Sequence, residues 1–526
     1  MVEEALTMEA GDDGAVDHRG DVLPVLSKRA ANMKYEELIR ISSPNEEGKT
    51  PGSPFFTAIG YFWLRMTNKI QFKNIIVSGK ENIPPDRGTL CTAWHTNGVI
   101  DPIAIMLSHP KRFVIGARHD LVLRPVLGWW SRKFAVQPVI RKAELIRGGC
   151  SEEEATYLNG RSLRALADGI SAGFGSALFP EGTSHSESHL LRLRTGPMRT
   201  VIAAAGISEV KGRPRPVLLP VGLHYRVRHL WRTDCWIEYG EPLEIPDSAV
   251  DEDLVSALKA GDWREPRAEA VVSLRDSLNE RLAPMTPGAP DWNTHRAWHI
   301  LGHLRSRAEG PPPADWKEEV LAARKERDKL STVRDDEMVA KADKIARILD
   351  DNGLDGRDLT RDGDLRKASL VKGLYRAILL IPTIFLLPIF VYSCGIQATL
   401  GYKFGNVTDE GLDARTTFQF LLAMFGSFLF FSPLAFILIL LSHFFLPVPW
   451  SELSGMELVV DWVILQVALE FMAILFMFWL SAKFIVSGCD TFFAAEKARS
   501  RSILRKSPAG IELKESTKEI ISRFSS

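Results

Sequence analysis

The chain has no excess of charge of either sign: its 65 Lys and Arg residues equal its 65 Asp and Glu residues. No overall field draws it to nucleic acid, so any basic surface must be local. Paired cysteines are missing too. Cys91, Cys150, Cys235, Cys394 and Cys489 stand far apart, which suggests neither a disulfide scaffold nor a zinc site and fits a reducing compartment. The first 50 residues lack the basic start and short apolar run of a secretory signal. They are polar and partly acidic, and the expectation for 1–50 is a mobile N-terminal arm.

What is there is apolar sequence in quantity. With 526 residues, 45% of them hydrophobic, the chain can build a packed core in at least one of two or three domains, which excludes disorder throughout. Residues 377–396, 416–447 and 458–482 are each long and apolar enough to cross a hydrocarbon layer about 30 Å thick. Any one of them could be a buried bundle helix; the three together predict an integral membrane protein. Arg366, Lys367, Lys372 and Arg376 precede the first run, and Lys497, Arg499, Arg501, Arg505 and Lys506 follow the last. Basic flanks prefer the cytoplasm. Both ends then lie on one side, which predicts an even number of crossings, with Pro382 and Pro388 or Pro433 marking a broken or re-entrant segment.

The run 54–66 (PFFTAIGYFWLRM) is too short to span and fits either the membrane interface or a core helix. Apolar runs at 74–78, 89–94, 112–116, 134–140, 176–179, 215–223 and 235–239 read as strands between helical stretches, the pattern of an α/β domain. Ser151 and Glu154 form a capping box ahead of a helix that Gly169 should stop. Residues 246–372 are charge-rich and interrupted by Pro and Gly, with helices expected at 251–283, 292–307 and 315–349 outside the catalytic sheet. The expected organisation is an arm (1–50), an α/β domain with its interfacial segment (51–245), a charged helical region (246–372), a transmembrane region (373–490) and a basic cytoplasmic tail (491–526).

Two stretches carry chemistry. In WHTNGVIDP, His95 leaves a strand and Asp101 follows six residues later. Asp101 before Pro102 is also what a helix N-cap with Pro at its first position looks like, and the two readings can coexist. In GSALFPEGTSHSESHLLRLRTGPMR, a strand delivers Glu181, Gly182 and then Arg192, Arg194 and Arg199. Such residues form either a solvated basic face or a phosphate site, since guanidinium forks suit phosphate.

FPEGTS followed by a leucine-rich stretch and Arg-x-Gly resembles the third motif block of the PlsC-type glycerolipid acyltransferases. His95 to Asp101 resembles the first block, FAVQPVIRK ending at Arg141 the second, and VLLPVGLHY centred on Pro220 the fourth. The family usually spaces His and Asp by four residues; here Thr96 to Ile100 make five. The extra residue is expected to bulge near Asn97–Gly98, as in the yeast-type glycerol-3-phosphate acyltransferases that this stretch resembles. The resemblance, which covers about 75–245, implies an α/β fold with a mixed sheet flanked by helices, to which the sequence itself adds a helical insert and C-terminal transmembrane helices. It also implies His95 as general base, Asp101 as its orienting partner, and Arg141, Phe179, Glu181, Gly182, Arg194 and Pro220 as substrate-binding residues. The implied reaction is acyl transfer from acyl-CoA or acyl-carrier protein to the sn-1 hydroxyl of glycerol 3-phosphate. Alternatives are transfer to lysophosphatidate or another lysophospholipid, and a non-catalytic lipid-binding scaffold. Beyond the thioester no cofactor or metal is expected; the expected partners are membrane lipid, acyl thioester and glycerol-phosphate acceptor, with the catalytic domain on the cytoplasmic face.

Rival signals are weaker. GISAG at 169–173 matches G-x-S-x-G, but a helix runs into it and a strand follows, the reverse of a nucleophile elbow. His185, Glu187 and His189 match no common zinc spacing. Asp461 and Glu470 lie within the last apolar run and either serve function or face a neighbouring helix.

Overall fold

The computed structural model describes residues 34–140, 151–407, 412–445 and 458–525. It divides into two compact units. The first is Met1–His295 with Ala314–Arg324 and Asp409–Thr416; the second is Arg296–Pro313 with Lys325–Thr408 and Thr417–Ser526.

The first unit is built on a mixed five-stranded sheet in the order β1-β7-β6-β2-β5. The strands are β1 (Phe72–Ser78), β2 (Thr89–Ala93), β5 (Gly175–Ala177), β6 (Val217–Tyr225) and β7 (Thr233–Tyr239); β3 (Gly116–Arg118) and β4 (Gln137–Val139) form a separate pair. β2 runs parallel to both β5 and β6, while β7 is antiparallel to β6 and parallel to β1. β2 and β6 are buried nearly throughout, and that is why they read as continuous apolar runs rather than alternating ones. Of the run 112–116, only Gly116 joins a strand, although Phe113 bridges to Gly175.

The helices of this unit include α1 (Pro54–Gln71), α2 (Ile100–Ser108), α3 (Pro125–Lys133), α4 (Glu152–Ser171), α5 (Gly196–Val210), α6 (Glu252–Ala260) and α7 (Ala268–Leu282). The capping box of α4 is formed: Ser151 Oγ accepts from Glu154 N (3.1 Å) and Glu154 Oε2 from Ser151 N (2.9 Å). Its end differs from expectation. The helix passes through Gly169 and stops at Ser171, and Gly173 takes the left-handed conformation (φ +97°). Gly169 serves packing instead, since a Cβ there would meet the Val114 side chain at 2.9 Å.

Two expected borders move. Leu38 and Ile41, assigned to the arm, are buried with Val122, Val136 and Leu158. The stretch 251–283 is two helices separated after Gly261 (φ +98°), and Leu254, Leu258, Leu274 and Leu278 share a core with Leu90, Leu166 and Leu218. The start of the supposed outer region therefore belongs to the sheet's own core.

Helix α1 is two-sided. Tyr61 and Leu64 are buried, whereas Phe55, Ala58, Phe62, Arg65 and Lys69 form an exposed stripe at helical spacing. Phe56 packs edge-on against Trp129 (5.2 Å) and Trp130 (6.1 Å) of α3. Lys133 lies over the Phe56 ring at 5.1 Å. The core-helix reading of 54–66 thus holds for the inner face, and the outer face carries exposed aromatic and basic residues.

Beyond α8 (Trp292–Glu309), the stretch 315–349 is two helices, α9 (Trp316–Thr332) and α10 (Asp336–Asp351). The second unit packs Ala297, Leu301, Ile345 and Leu349 with Leu504, Leu513 and Ile520. Three helices, α11 (Leu370–Val407), α12 (Leu412–Phe445) and α13 (Leu458–Leu504), contain segments long and apolar enough to cross a membrane: Val371–Val407, Arg415–Phe445 and Ile464–Leu504. Leu374, Phe385, Phe436, Leu440, Leu469 and Phe476 are exposed on them, which a water-facing bundle would not tolerate. The expected break is not found: α11 continues through Pro382 and Pro388, and α12 through Pro433. The basic end of α13 is paired within its own unit, Lys497 with Asp355 (3.0 Å) and Arg501 with Asp358 (2.5 Å).

Candidate active site

Because β2, β5 and β6 are parallel, their C-terminal ends open on one side, the usual place for a site in such sheets. His95 follows β2 by two residues, Phe179–Gly182 follow β5, and Tyr225 ends β6. Asp101 lies in the first turn of α2.

The Asp101 carboxylate is fully buried and gathers the site around it. Its Oδ2 accepts from His95 Nδ1 (2.9 Å) and from the backbone N–H groups of Thr96 and Asn97 (both 2.8 Å). Tyr225 donates its hydroxyl to Oδ1 at 2.7 Å. The extra residue between His95 and Asp101 is absorbed by a turn, in which Ile100 N donates to Asn97 O (2.9 Å) and Gly98 takes φ +45°. The expected cap is corrected: α2 starts at Ile100 after Val99, with no side-chain cap, and Asp101 reaches back to the loop from inside the helix.

Since a carboxylate can only accept, His95 carries its proton on Nδ1 and leaves the Nε2 lone pair available. The His95 side chain is 17% exposed while that of Asp101 is closed off. Phe179 stacks on the imidazole, centroids 3.9 Å apart and planes 18° apart. Its ring therefore covers a face of the candidate base.

Glu181 is engaged by the protein itself. Its Oε2 accepts from His95 N (2.8 Å), and its Oε1 from Leu191 N (2.7 Å) and His185 Nε2 (2.8 Å). With its side chain buried, it frames the site rather than facing a ligand. Glu187 N donates to His185 Nδ1 (3.2 Å), which leaves Nε2–H as the donor to Glu181. The His185, Glu187 and His189 stretch is thus part of the loop, and no metal-holding group occurs among the described residues.

Gly182 adopts φ +77°, and a Cβ there would meet Arg194 Cδ at 2.9 Å. Arg194 itself donates its backbone N–H to Pro180 O (2.5 Å). Pro220 is buried mid-strand opposite Thr92, and its carbonyl accepts from Gly240 N (2.9 Å), so it shapes the sheet below the site. Arg141 lies outside the described residues. Ser171 donates to Asp168 O (3.0 Å) at the buried end of α4 and is no nucleophile elbow. Glu470 meets Gln466 (2.7 Å) and His443 (3.3 Å); the side chain of Asp461 is outside the described residues.

The residue that the sequence reading missed is Tyr225. Its only signal was an aromatic hydroxyl at the last position of VLLPVGLHY. Burial, and then the adjacent Asp101 carboxylate, push its phenol well above the usual range, so it stays a donor.

The geometry is that of a histidine just past a strand, oriented by a buried carboxylate at the open ends of parallel strands. Residues 74–223 match the family profile described as Acyltransferase; the first unit carries an acyltransferase-family domain. Among curated proteins, an uncharacterized acyltransferase of Schizosaccharomyces pombe is 32% identical over 145 residues, 27% of this chain and 19% of that one. Glycerol-3-phosphate O-acyltransferase 2 of Saccharomyces cerevisiae is 27% identical over 29% of this chain and 19% of its own length. Glycerol-3-phosphate O-acyltransferase 1 of the same yeast is 30% identical over 22% and 14%. The chain thus spans a fifth or less of the length of these relatives. The crystal structure of the 1-acyl-sn-glycerophosphate acyltransferase PlsC of Thermotoga maritima matches at 19% identity and a TM-score of 0.26, covering 43% of this chain and 81% of that one.

Proposed function

We propose that the chain is an O-acyltransferase that moves a fatty acyl group from acyl-CoA or acyl-carrier protein to the sn-1 hydroxyl of glycerol 3-phosphate in phospholipid biosynthesis. The observation that carries this reading is the His95–Asp101 contact of 2.9 Å, with Nε2 left to receive a proton. The acceptor follows that of the two yeast relatives, both glycerol-3-phosphate O-acyltransferases.

His95 Nε2 takes the hydroxyl proton as the oxygen attacks the thioester carbonyl. The new C–O bond forms, the C–S bond breaks, and the thiolate leaves, with a pKa of about 8.5 for a simple thiol. The proton on His95 then passes to the thiolate or to solvent. Asp101 fixes the imidazole and stabilises its charged form. No protein nucleophile is required. Arg141 and Arg194 are the proposed phosphate ligands, Gly182 lets backbone approach the glycerol portion, and Phe179 and Glu181 hold His95 in place. The aromatic face of α1 and α3, with Arg65, Lys69 and Lys133 and no acidic residue on either helix, supports docking of this unit on an anionic lipid surface, on the cytoplasmic side.

The test is transfer of labelled acyl groups by full-length protein in nanodiscs, with glycerol 3-phosphate and lysophosphatidate offered separately. Transfer to glycerol 3-phosphate, reduced roughly 10²–10⁴-fold in His95→Ala, is expected. Transfer to lysophosphatidate alone moves the assignment to that acceptor, and transfer to neither from acyl-CoA or acyl-carrier protein points to the lipid-binding scaffold.

A further inference from the structure

We infer that Tyr225 is a positioning residue of the site, setting how strongly Asp101 holds His95; this rests on the reading of His95 as the base. The Asp101 carboxylate is fully buried, and three of its four donors sit on one oxygen. The hydroxyl of Tyr225 is the donor to the other, at 2.7 Å. Tyr225 is held from both sides: its ring stacks on Phe72 of β1 (5.9 Å, planes 13° apart), and its backbone pairs with Cys235 of β7. Without the hydroxyl, Oδ1 would be a buried acceptor with its donor gone, a costly state.

The consequence is electrostatic. A donor on Oδ1 draws charge from the carboxylate, so Asp101 stabilises a protonated His95 less than it otherwise would. The other groups facing this centre are already committed. Glu181 is tied to His185 and the His95 backbone; Asp234, next to Cys235 on β7, points to the other face of the sheet, where it accepts from Asn74 (2.7 Å) and Arg226 (2.9 Å). Burial raises the thiol of Cys235, so it remains uncharged. Tyr225 is thus the neutral hydroxyl through which β6 trims the charge behind the base.

Tyr225→Phe keeps the ring and its stack while deleting the donor. In full-length protein, kcat falls about tenfold or more with KM unchanged, and the acid limb of the pH–rate profile moves to higher pH by about half a unit or more. An activity-independent readout is the pH dependence of diethylpyrocarbonate modification at His95, quantified by peptide mass spectrometry; its midpoint should rise in the same variant. Placing 3-fluorotyrosine at 225, a stronger donor that preserves the fold, should move both midpoints the other way, and it decides the matter if Tyr225→Phe does not fold. Unmoved midpoints in the folded proteins overturn the inference. Failure of His95→Ala to reduce transfer would instead overturn the assignment of the base, while the modification experiment would still report on Tyr225.

Discussion

At the scale of single residues, the site is organised by two buried carboxylates with different duties. Asp101 holds the imidazole and the loop that follows it; Glu181 holds the backbone of His95 and the loop after β5. Glu181→Gln replaces an acceptor-only group by one whose amide must face an N–H donor. The expected outcome is a fall in kcat of about tenfold or more with little change in the acceptor KM, measurable by steady-state kinetics. A rise in acceptor KM alone would instead make Glu181 a ligand of the substrate. Gly182→Ala meets two obstacles, a left-handed backbone and the Arg194 side chain. The backbone alone costs about 1–2 kcal/mol, so a lowered unfolding midpoint in denaturant, together with lowered activity, is expected.

At the scale of elements, α1 has two faces of different character. Its inner face contributes Tyr61 and Leu64 to the unit's interior, and its outer stripe presents Phe55 and Phe62, 67% and 57% exposed, beside Trp129 of α3. Aromatic rings with basic neighbours suit the level of lipid headgroups. An environment-sensitive dye at Phe62→Cys should shift its emission to the blue in nanodiscs containing anionic lipid and less so in neutral ones, while the same dye at Tyr157→Cys, exposed on α4, should not respond. Equal responses at the two sites would count against docking through this face. Lys497 and Arg501 near the end of α13, and Arg505 just past it, pair with Asp355, Asp358 and Asp364, so a basic flank counted from sequence as a topological signal is largely neutralised locally.

At the scale of the whole molecule, acid stability depends on a histidine remote from the chemistry. His109 accepts from Lys111 N (3.1 Å) at Nδ1 and so donates from Nε2 to Thr89 Oγ1 (3.0 Å). Burial, with the Lys111 charge adding to it, lowers its pKa from 6.5 to about 3. Phe113 and Tyr239 rings complete its surroundings. A folded-state value below the unfolded one means that stability is fully present above about pH 6.5 and is lost as pH falls towards 3, by up to about 1.4 kcal/mol per pH unit. The unfolding midpoint should therefore drop with acidification in this range, and His109→Gln should flatten that dependence; an equal slope in the variant would assign the loss to other groups.

By itself the sequence determined the local features. The strands buried on both faces were legible in runs such as TLCTA and VLLPVGLHY, the capping box in Ser151 and Glu154, and the membrane segments in their length. These depend on neighbours in the chain, and the chain displays them. The pairing of His95 with Asp101 was legible for the same reason, being six residues apart. Only the tertiary structure decided that Glu181, 86 residues from His95, is occupied by that backbone, that Tyr225 completes Asp101 from 124 residues away, and that Leu254 and Leu274 join the sheet's core. Hydrogen bonds and burial of this kind are created by the crossing of the chain over itself. A Glu in a turn or a Tyr at a strand end carries the same letters whether it meets substrate, solvent or another carboxylate.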